Sequence, residues 1–427
     1  MQTFGKTLRN SLPAVGLGLL TAFGIASVTA ITAPTAFAQQ KAKKEFVDNF
    51  NAANTALSSR QYNEAIQKSD AAQAHAEDNL QKCALDQIRT AAYFALKNHQ
   101  QVIKSAESAI SLGCIKGDQL KNYRKMLAGA YAEVGNEAKA VQLTKEFVDD
   151  YGGDSTQYAF LAKRELDSRN YGGAVSYAQR AIDQAGKEGK RPSDTWYNIQ
   201  LTAHMNSGKM DQYYSTLERV APILKKEIYW RPLIERTTRE PKYKSQEAMV
   251  DMLRTMVAAG VTLKQNEQVD LGEQAFNRGS TVEAEKALEP LVKAGLYGGA
   301  QDPRADRNKR LYDSIRNGAK ADTTGGLEQS EKDAATKSTG DAFVATGEAY
   351  MGAGNYAKAV ELIQKGLDKG QMEPGATELA KLRLGIAQFR AGDRDAARKT
   401  WAEIDGENGA AWLARCWTAI SKAWTRS

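Results

Sequence analysis

Residues 347–370 read GEAYMGAGNYAKAVELIQKGLDKG, and within them Gly352-Ala353-Gly354-Asn355-Tyr356-Ala357 spells G-x-G-x-x-A. That is the minimal fingerprint of a dinucleotide-binding turn, in which glycines let the backbone approach a pyrophosphate at a helix N-terminus. The fingerprint requires a strand before the glycines and a helix after them. Here a helical pattern precedes them. Glycines also recur at the same phase at Gly135, Gly208, Gly279 and Gly392. The pair is read as a helix-to-helix turn, and no cofactor is expected.

Working outward, Gly347 is followed by Tyr350, Gly354, Tyr356, Ala359 and Gly366. The same offsets from Ala53 give Ala56, Tyr62, Ala65 and Ala72. From Ala128 they give Tyr131, Gly135 and Ala140, and from Ala162 they give Tyr171, Ala174 and Ala181. Weaker copies start at Thr90, Leu201, Gly272 and Gly385. The anchors at 53, 90, 128, 162 and 201 step by 37, 38, 34 and 39 residues. Each copy holds two helical stretches of about a dozen residues, with small or aromatic residues on one face. Small residues let the two helices approach, tyrosine fills the gap where they splay, and a Gly or Asn ends the first helix in a left-handed conformation. Neither helix buries its apolar face alone, so successive copies must stack and share a core. The fold class is all-α, a solenoid of antiparallel helix pairs.

The pattern resembles the tetratricopeptide repeat family, whose unit is a helix pair of about 34 residues. The copy at 343–370 matches best, with AGAYAEVGNEAKAVQL at 128–143 and RNYGGAVSYAQRAI at 169–182 next. The resemblance covers about Glu45 to Ile404, with breaks. It implies a concave face lined by first helices that holds extended peptides. Carried across residue by residue, the groove phases fall on Asn122, Lys125, Lys163, Asn198, Met205 and Asn206. The family's carboxylate-clamping pattern is not kept, because Lys125 is followed by Gly129 and Asn54 is preceded by Phe50.

The array has breaks. Residues 228–260 read as a divergent helix pair around the breaker Glu240-Pro241. Residues 295–340 read as an irregular insertion containing one polar helix and a weakly structured linker. This divides an array at 39–294 from a C-terminal pair at 341–427 that ends in a capping helix. AAWLARCWTAISKAW at 410–424 is amphipathic. It is read as covering the end of the solenoid, or alternatively as a docking helix anchored by Trp412, Trp417 and Trp424.

The first 38 residues carry Lys6 and Arg9, no acid, an apolar run from about Leu12 to Ile31, and Ala36-Phe37-Ala38 before Gln39. That is the form of a cleaved export signal; an uncleaved membrane anchor is the alternative. Cleavage takes the formal charge from +7 to +5, with basic and acidic residues interspersed. Nucleic acid is not an expected partner. The expected compartment is the periplasm.

Catalytic motifs are missing. His75, His99 and His204 are solitary, with no metal-ligand spacing, and His204 takes the tyrosine position of its copy. Cys83 begins the first helix of its copy and Cys114 ends the second. Antiparallel packing brings those ends together, so the two are a disulfide or a pair of buried thiols. The aromatic pairs around Trp196, Tyr214 and Trp230 are either core or stacking shelves for sugar rings. The expected function is a non-enzymatic scaffold for a protein or peptide of the cell envelope. A polysaccharide-binding scaffold is the alternative, and an enzyme on a helical toroid the third reading.

Overall fold

A computed structural model describes residues 43–244 and 247–424; the signal segment read at 1–38 lies outside the described residues. The fold is all-α, and it is built by repeating one turn. The first helix of each pair ends in a left-handed residue, and the next residue both closes that helix and opens the second. At Gly354, φ is 89°, and the Asn355 N–H donates to the Tyr350 carbonyl at 2.9 Å. The Asn355 side chain then accepts from the Lys358 N–H at 3.2 Å. This is a Schellman closure fused to an N-cap, so one asparagine satisfies orphan groups at two helix ends.

The same closure recurs at Gly135-Asn136, Gly208-Lys209, Gly279-Ser280 and Gly392-Asp393, with bonds of 2.9 Å to the Tyr131, His204, Ala275 and Gln388 carbonyls. Three copies do it without glycine. Arg60, Lys97 and Arg169 sit at φ 62°, 56° and 63°, a conformation that β-carbons resist. The glycines opening residues 347–370 are thus turn and packing residues. A β-carbon at Gly352 would collide with Ser280, and one at Gly347 would meet Ile363 Cγ1 at 2.6 Å.

Contacts divide the described residues into two compact units, the first ending at Tyr213 and the second beginning at Tyr214. In the first, the pairs are α1 (Lys44–Ser58) with α2 (Tyr62–Gln73), α3 (Asn79–Ala95) with α4 (His99–Ser111), α5 (Gly117–Glu133) with α6 (Glu137–Tyr151), and α7 (Ser155–Asp167) with α8 (Tyr171–Lys187). Then come α9 (Asp194–Asn206) and the start of α10 (Met210–Leu224). Each pair packs internally, and each second helix packs on the first helix of the next pair. The repeat anchors Ala53, Ala128 and Ala162 are buried, as are Ala65, Ala140 and Ala174 opposite them. Small residues at both sides of the crossing set how closely the helices approach.

The second unit holds α11 (Glu227–Ile234), α12 (Arg236–Arg239), a short 3-10 turn (Pro241–Tyr243) and α13 (Met249–Ala258). Two-helix repeats follow: α14 (Gln265–Asn277) with α15 (Thr281–Lys293), α18 (Asp341–Ala353) with α19 (Tyr356–Lys369), and α20 (Ala376–Arg390) with α21 (Arg394–Ala402). Between them run α16 (Ala305–Ala321) and α17 (Leu327–Thr336), and α22 (Gly409–Trp424) is the last described helix.

Two expectations change here. Residues 295–340 are not a divider. The polar helix is present as α16, but the expected linker also contains helix α17. α16 packs on α15, α17 packs on α18, and α15 touches α18 directly, so the array continues past both. Their buried stripe is narrow: Asn308, Ile315 and Ala319 on α16, Leu327 and Ala334 on α17. So few apolar residues read as a linker. The division lies instead at Tyr213, because α22 returns to pack on α11, α12 and α13 as well as on α20 and α21.

The terminal helix therefore does more than cover an end. Trp412 and Trp417 are 0% and 1% exposed. Trp412 Nε1 donates to the Leu233 carbonyl at 2.8 Å, and Trp417 Nε1 to Thr255 Oγ1 at 2.9 Å. These two rings are core, which removes them as docking anchors; the side chain of Trp424 lies outside the described residues.

Candidate functional site

The first helices of the first unit carry all six groove positions. Asn122 and Lys125 lie on α5, Lys163 on α7, and Asn198, Met205 and Asn206 on α9. α7 and α9 contact each other as successive first helices, which places their residues on a common face. Asn122 and Asn206 are exposed, and Lys125, Lys163, Asn198 and Met205 are half-buried. Lys125 Nζ reaches Asp154 at 3.1 Å. Asp154 is the N-cap of α7, where its side chain accepts from Gln157 N–H in a capping box. The Lys125 ammonium thus ties α5 to the start of α7. Lys163 Nζ lies 2.6 Å from Asp167 Oδ2 on its own helix. Both ammonium groups are already neutralised, so the face presents amides and methylene stems more than free charge.

Trp196 is half-buried on α9 and packs at the edge of the cluster that contains Phe147, Tyr158 and Phe160. Tyr214 and Trp230 are 3% and 2% exposed. They are core residues of the second unit, so of the two readings of these aromatics the core one holds for Tyr214 and Trp230, while Trp196 keeps part of its surface exposed. Tyr214 packs edge-on to Trp412, with ring centroids 5.8 Å apart. The Arg236 guanidinium lies over the Tyr214, Tyr243 and Trp412 rings at 4.2, 4.6 and 4.4 Å, and Glu240 pairs with it at 2.8 Å. A cation stacked on three rings and matched by a carboxylate is a way to bury an arginine.

Cys83 and Cys114 have their Cα atoms 6.5 Å apart, and their sulfurs are placed as a disulfide. The pair closes the far end of α3 and α4 from the Lys97 turn. Cys416 is fully buried on α22, and burial pushes its thiol far up, which leaves it unreactive.

The second unit holds a cluster that the sequence did not reveal. Asp251 and Arg254 on α13, Glu283 on α15, Glu348 on α18 and Arg383 on α20 form one network. Arg254 bonds Asp251 at 2.9 Å, Glu348 at 3.0 Å and Glu283 at 2.6 Å. Arg383 bonds Asp251 at 2.8 Å and Glu348 at 2.7 Å. Three carboxylates face two guanidiniums, and the nearby Arg278 supplies a third positive charge that acts on Asp251 and Glu348. Burial alone would raise the Asp251 carboxyl, but Arg383 and Arg254 outweigh it and hold it below its ordinary range. For Arg254, burial acts to lower the guanidinium, yet Glu283, Glu348 and Asp251 leave it well above its ordinary value. Asp251 is thus kept ionised among permanent cations, an arrangement suited to joining helices and unsuited to proton transfer. A sequence signal existed in MVDMLRTMVA at 249–258, whose two charges lie at i, i+3 on an otherwise apolar helix. Their partners lie 94 and 132 residues away.

Among the described residues, no three His, Cys, Asp or Glu side chains converge to hold a metal, and no helix is long and apolar enough to cross a membrane. No family model matches the chain, and no curated protein matches its sequence. Among solved structures, one chain in the structure of Naa15/Naa10 bound to HypK-THB aligns with all of this chain and 72% of its own length at 14% identity, with a TM-score of 0.32. So loose a superposition leaves the fold to rest on the contacts described above.

Proposed function

We propose that this chain is a non-enzymatic binding scaffold that holds an extended segment of a protein partner against the first-helix face of its first unit. The observation that carries the reading is the repeated helix pair itself. It sets α7 beside α9, with α5 tied to the start of α7 through Lys125 and Asp154, and leaves Asn122, Lys125, Lys163, Asn198, Met205 and Asn206 on them outside the core. Side-chain amides and neutralised lysines on a pre-formed face suit a peptide backbone, whose own amides need partners. The buried ion network, with Asp251 held ionised, supports a structural over a catalytic reading. The polysaccharide alternative loses its main support with the burial of Tyr214 and Trp230.

The N-terminal sequence further supports export to the periplasm, with a cut after Ala38 and an envelope protein as partner. Intact mass of the protein purified from its native cells tests the cut, with a chain starting at Gln39 expected. The binding proposal is tested by affinity purification from the envelope fraction. A stoichiometric protein is expected with the wild type, and it should be lost with Lys125→Glu, Lys163→Glu and Asn198→Ala combined. A partner that is retained by the triple variant would contradict the assigned face.

A further inference from the structure

The second unit contains a half-open cavity of about 570 Å³, within the size range of small-molecule sites. Its walls come from helices distant in sequence: α13, α14, α15, α18, α19, α20 and α22. The floor is apolar, with Leu271, Met351, Ile386 and Trp417 among its buried residues. Val257, which also lines it, is 51% exposed, the most exposed of the large apolar side chains described. An apolar floor with an unshielded valine at the mouth leaves a surface that water covers poorly.

The charges around this floor are unequal. The one carboxylate on the wall, Glu283, has both oxygens on Arg254, at 2.9 and 2.6 Å. Arg254 in turn is matched by Asp251 and Glu348. Lys286 and Arg390, both exposed, carry no carboxylate partner among the described residues. The Lys286 ammonium donates to the Gly352 carbonyl at 3.2 Å, and the Arg390 guanidinium lies 5.8 Å from the centre of the Trp417 ring. The lining also includes Gln268, whose Oε1 is buried without a hydrogen-bond partner. The wall thus offers two uncompensated cations, an unsatisfied acceptor and an apolar floor.

We infer that this cavity binds a small amphipathic anion, an apolar chain or ring system that carries one carboxylate or phosphate. The apolar body would cover Leu271, Met351, Ile386 and the Trp417 ring, and its charged head would sit at the mouth between Lys286 and Arg390. An anion there meets charge-assisted donors without displacing an existing ion pair. A cationic head would face two like charges, and a neutral one would leave both unmatched.

Calorimetric titration of the full chain with dodecanoate and with dodecyl phosphate, each below its micelle concentration, tests the assignment. Saturable one-to-one binding of at least one is expected, and the stronger of the two identifies the head group. Lys286→Glu with Arg390→Glu should weaken it at least about tenfold, the scale of losing a hydrogen bond to a charged group. Both positions are exposed, so the fold is retained. Ala287→Trp, which fills the cavity from α15, should abolish binding while leaving the helical circular dichroism unchanged. Equal affinity for dodecyltrimethylammonium would overturn the inference. So would affinity untouched by the two charge reversals, or no saturable binding of either anion.

Discussion

The two units use the same turn but are held together differently. In the first, each helix packs on its neighbours in sequence, and apolar clusters of alanine and larger residues fill the gaps between successive pairs. In the second, the helix pairs recur, but α13 and α22 tie together segments more than a hundred residues apart. Their bonds are an ion network and two indole N–H groups. A repeat array with nearest-neighbour contacts can lose a pair locally, whereas a unit closed by distant contacts unfolds as a whole. The difference suggests separate tasks. The first unit presents a face, and the second encloses a volume.

The sharpest way to break this comparison is to break the network. Arg383→Met leaves the three carboxylates of the network bonded to Arg254 alone and should cost the second unit about 3–5 kcal/mol, leaving amide exchange in α1–α8 unchanged. Replacing all five charged residues with apolar or amide side chains should recover much of that loss. Segment-resolved hydrogen exchange reads both outcomes. The same network sets a pH dependence. Asp251 has a folded-state pKa below its unfolded value, so its contribution is complete above the unfolded carboxylate range, near pH 4. It is lost as pH falls through the lower folded value. Urea melts of the second unit should therefore be flat from pH 7 to 5 and fall steeply below about pH 4.

For the first unit, the corresponding test is reduction. Opening the Cys83–Cys114 bridge, which closes a loop of about thirty residues, should lower its stability by about 3–4 kcal/mol. Hydrogen exchange in α3 and α4, with and without reductant, reads that loss. A smaller effect sharpens the point that both units share one turn. Gly354→Ala should cost about 1 kcal/mol, and Lys97→Gly should gain a comparable amount, because each changes the strain of a left-handed residue. Thermal melts of the single variants measure the pair.

How much of this was legible in the sequence follows from the range of each interaction. The turn at Gly354-Asn355 was readable because every residue that makes it lies within a dozen positions, and the pattern repeats. The helix pair at 128–143 was readable for the same reason. α17 was missed because its buried stripe is only Leu327 and Ala334 between polar residues. Asp251 and Arg383 gave no joint signal, since nothing local relates two charges on different helices. Tyr214 and Trp230 were left open between core and surface because aromatic density alone does not say which face a ring takes. The groove residues came from the repeat phase, which places Asn122 and Lys125 on a first helix but does not disclose that Asp154 already holds Lys125.

The most direct test of the account is photo-crosslinking in the native cells. A photoreactive residue is placed at Asn122 or Asn206 on the first helices, and at Gln142 or Asp183 on the second, all exposed positions. The account predicts a single protein adduct from Asn122 and Asn206 and none from Gln142 or Asp183. Adducts from the second-helix positions alone, or equally from all four, would contradict the assignment of the first-helix face as the surface that holds a partner.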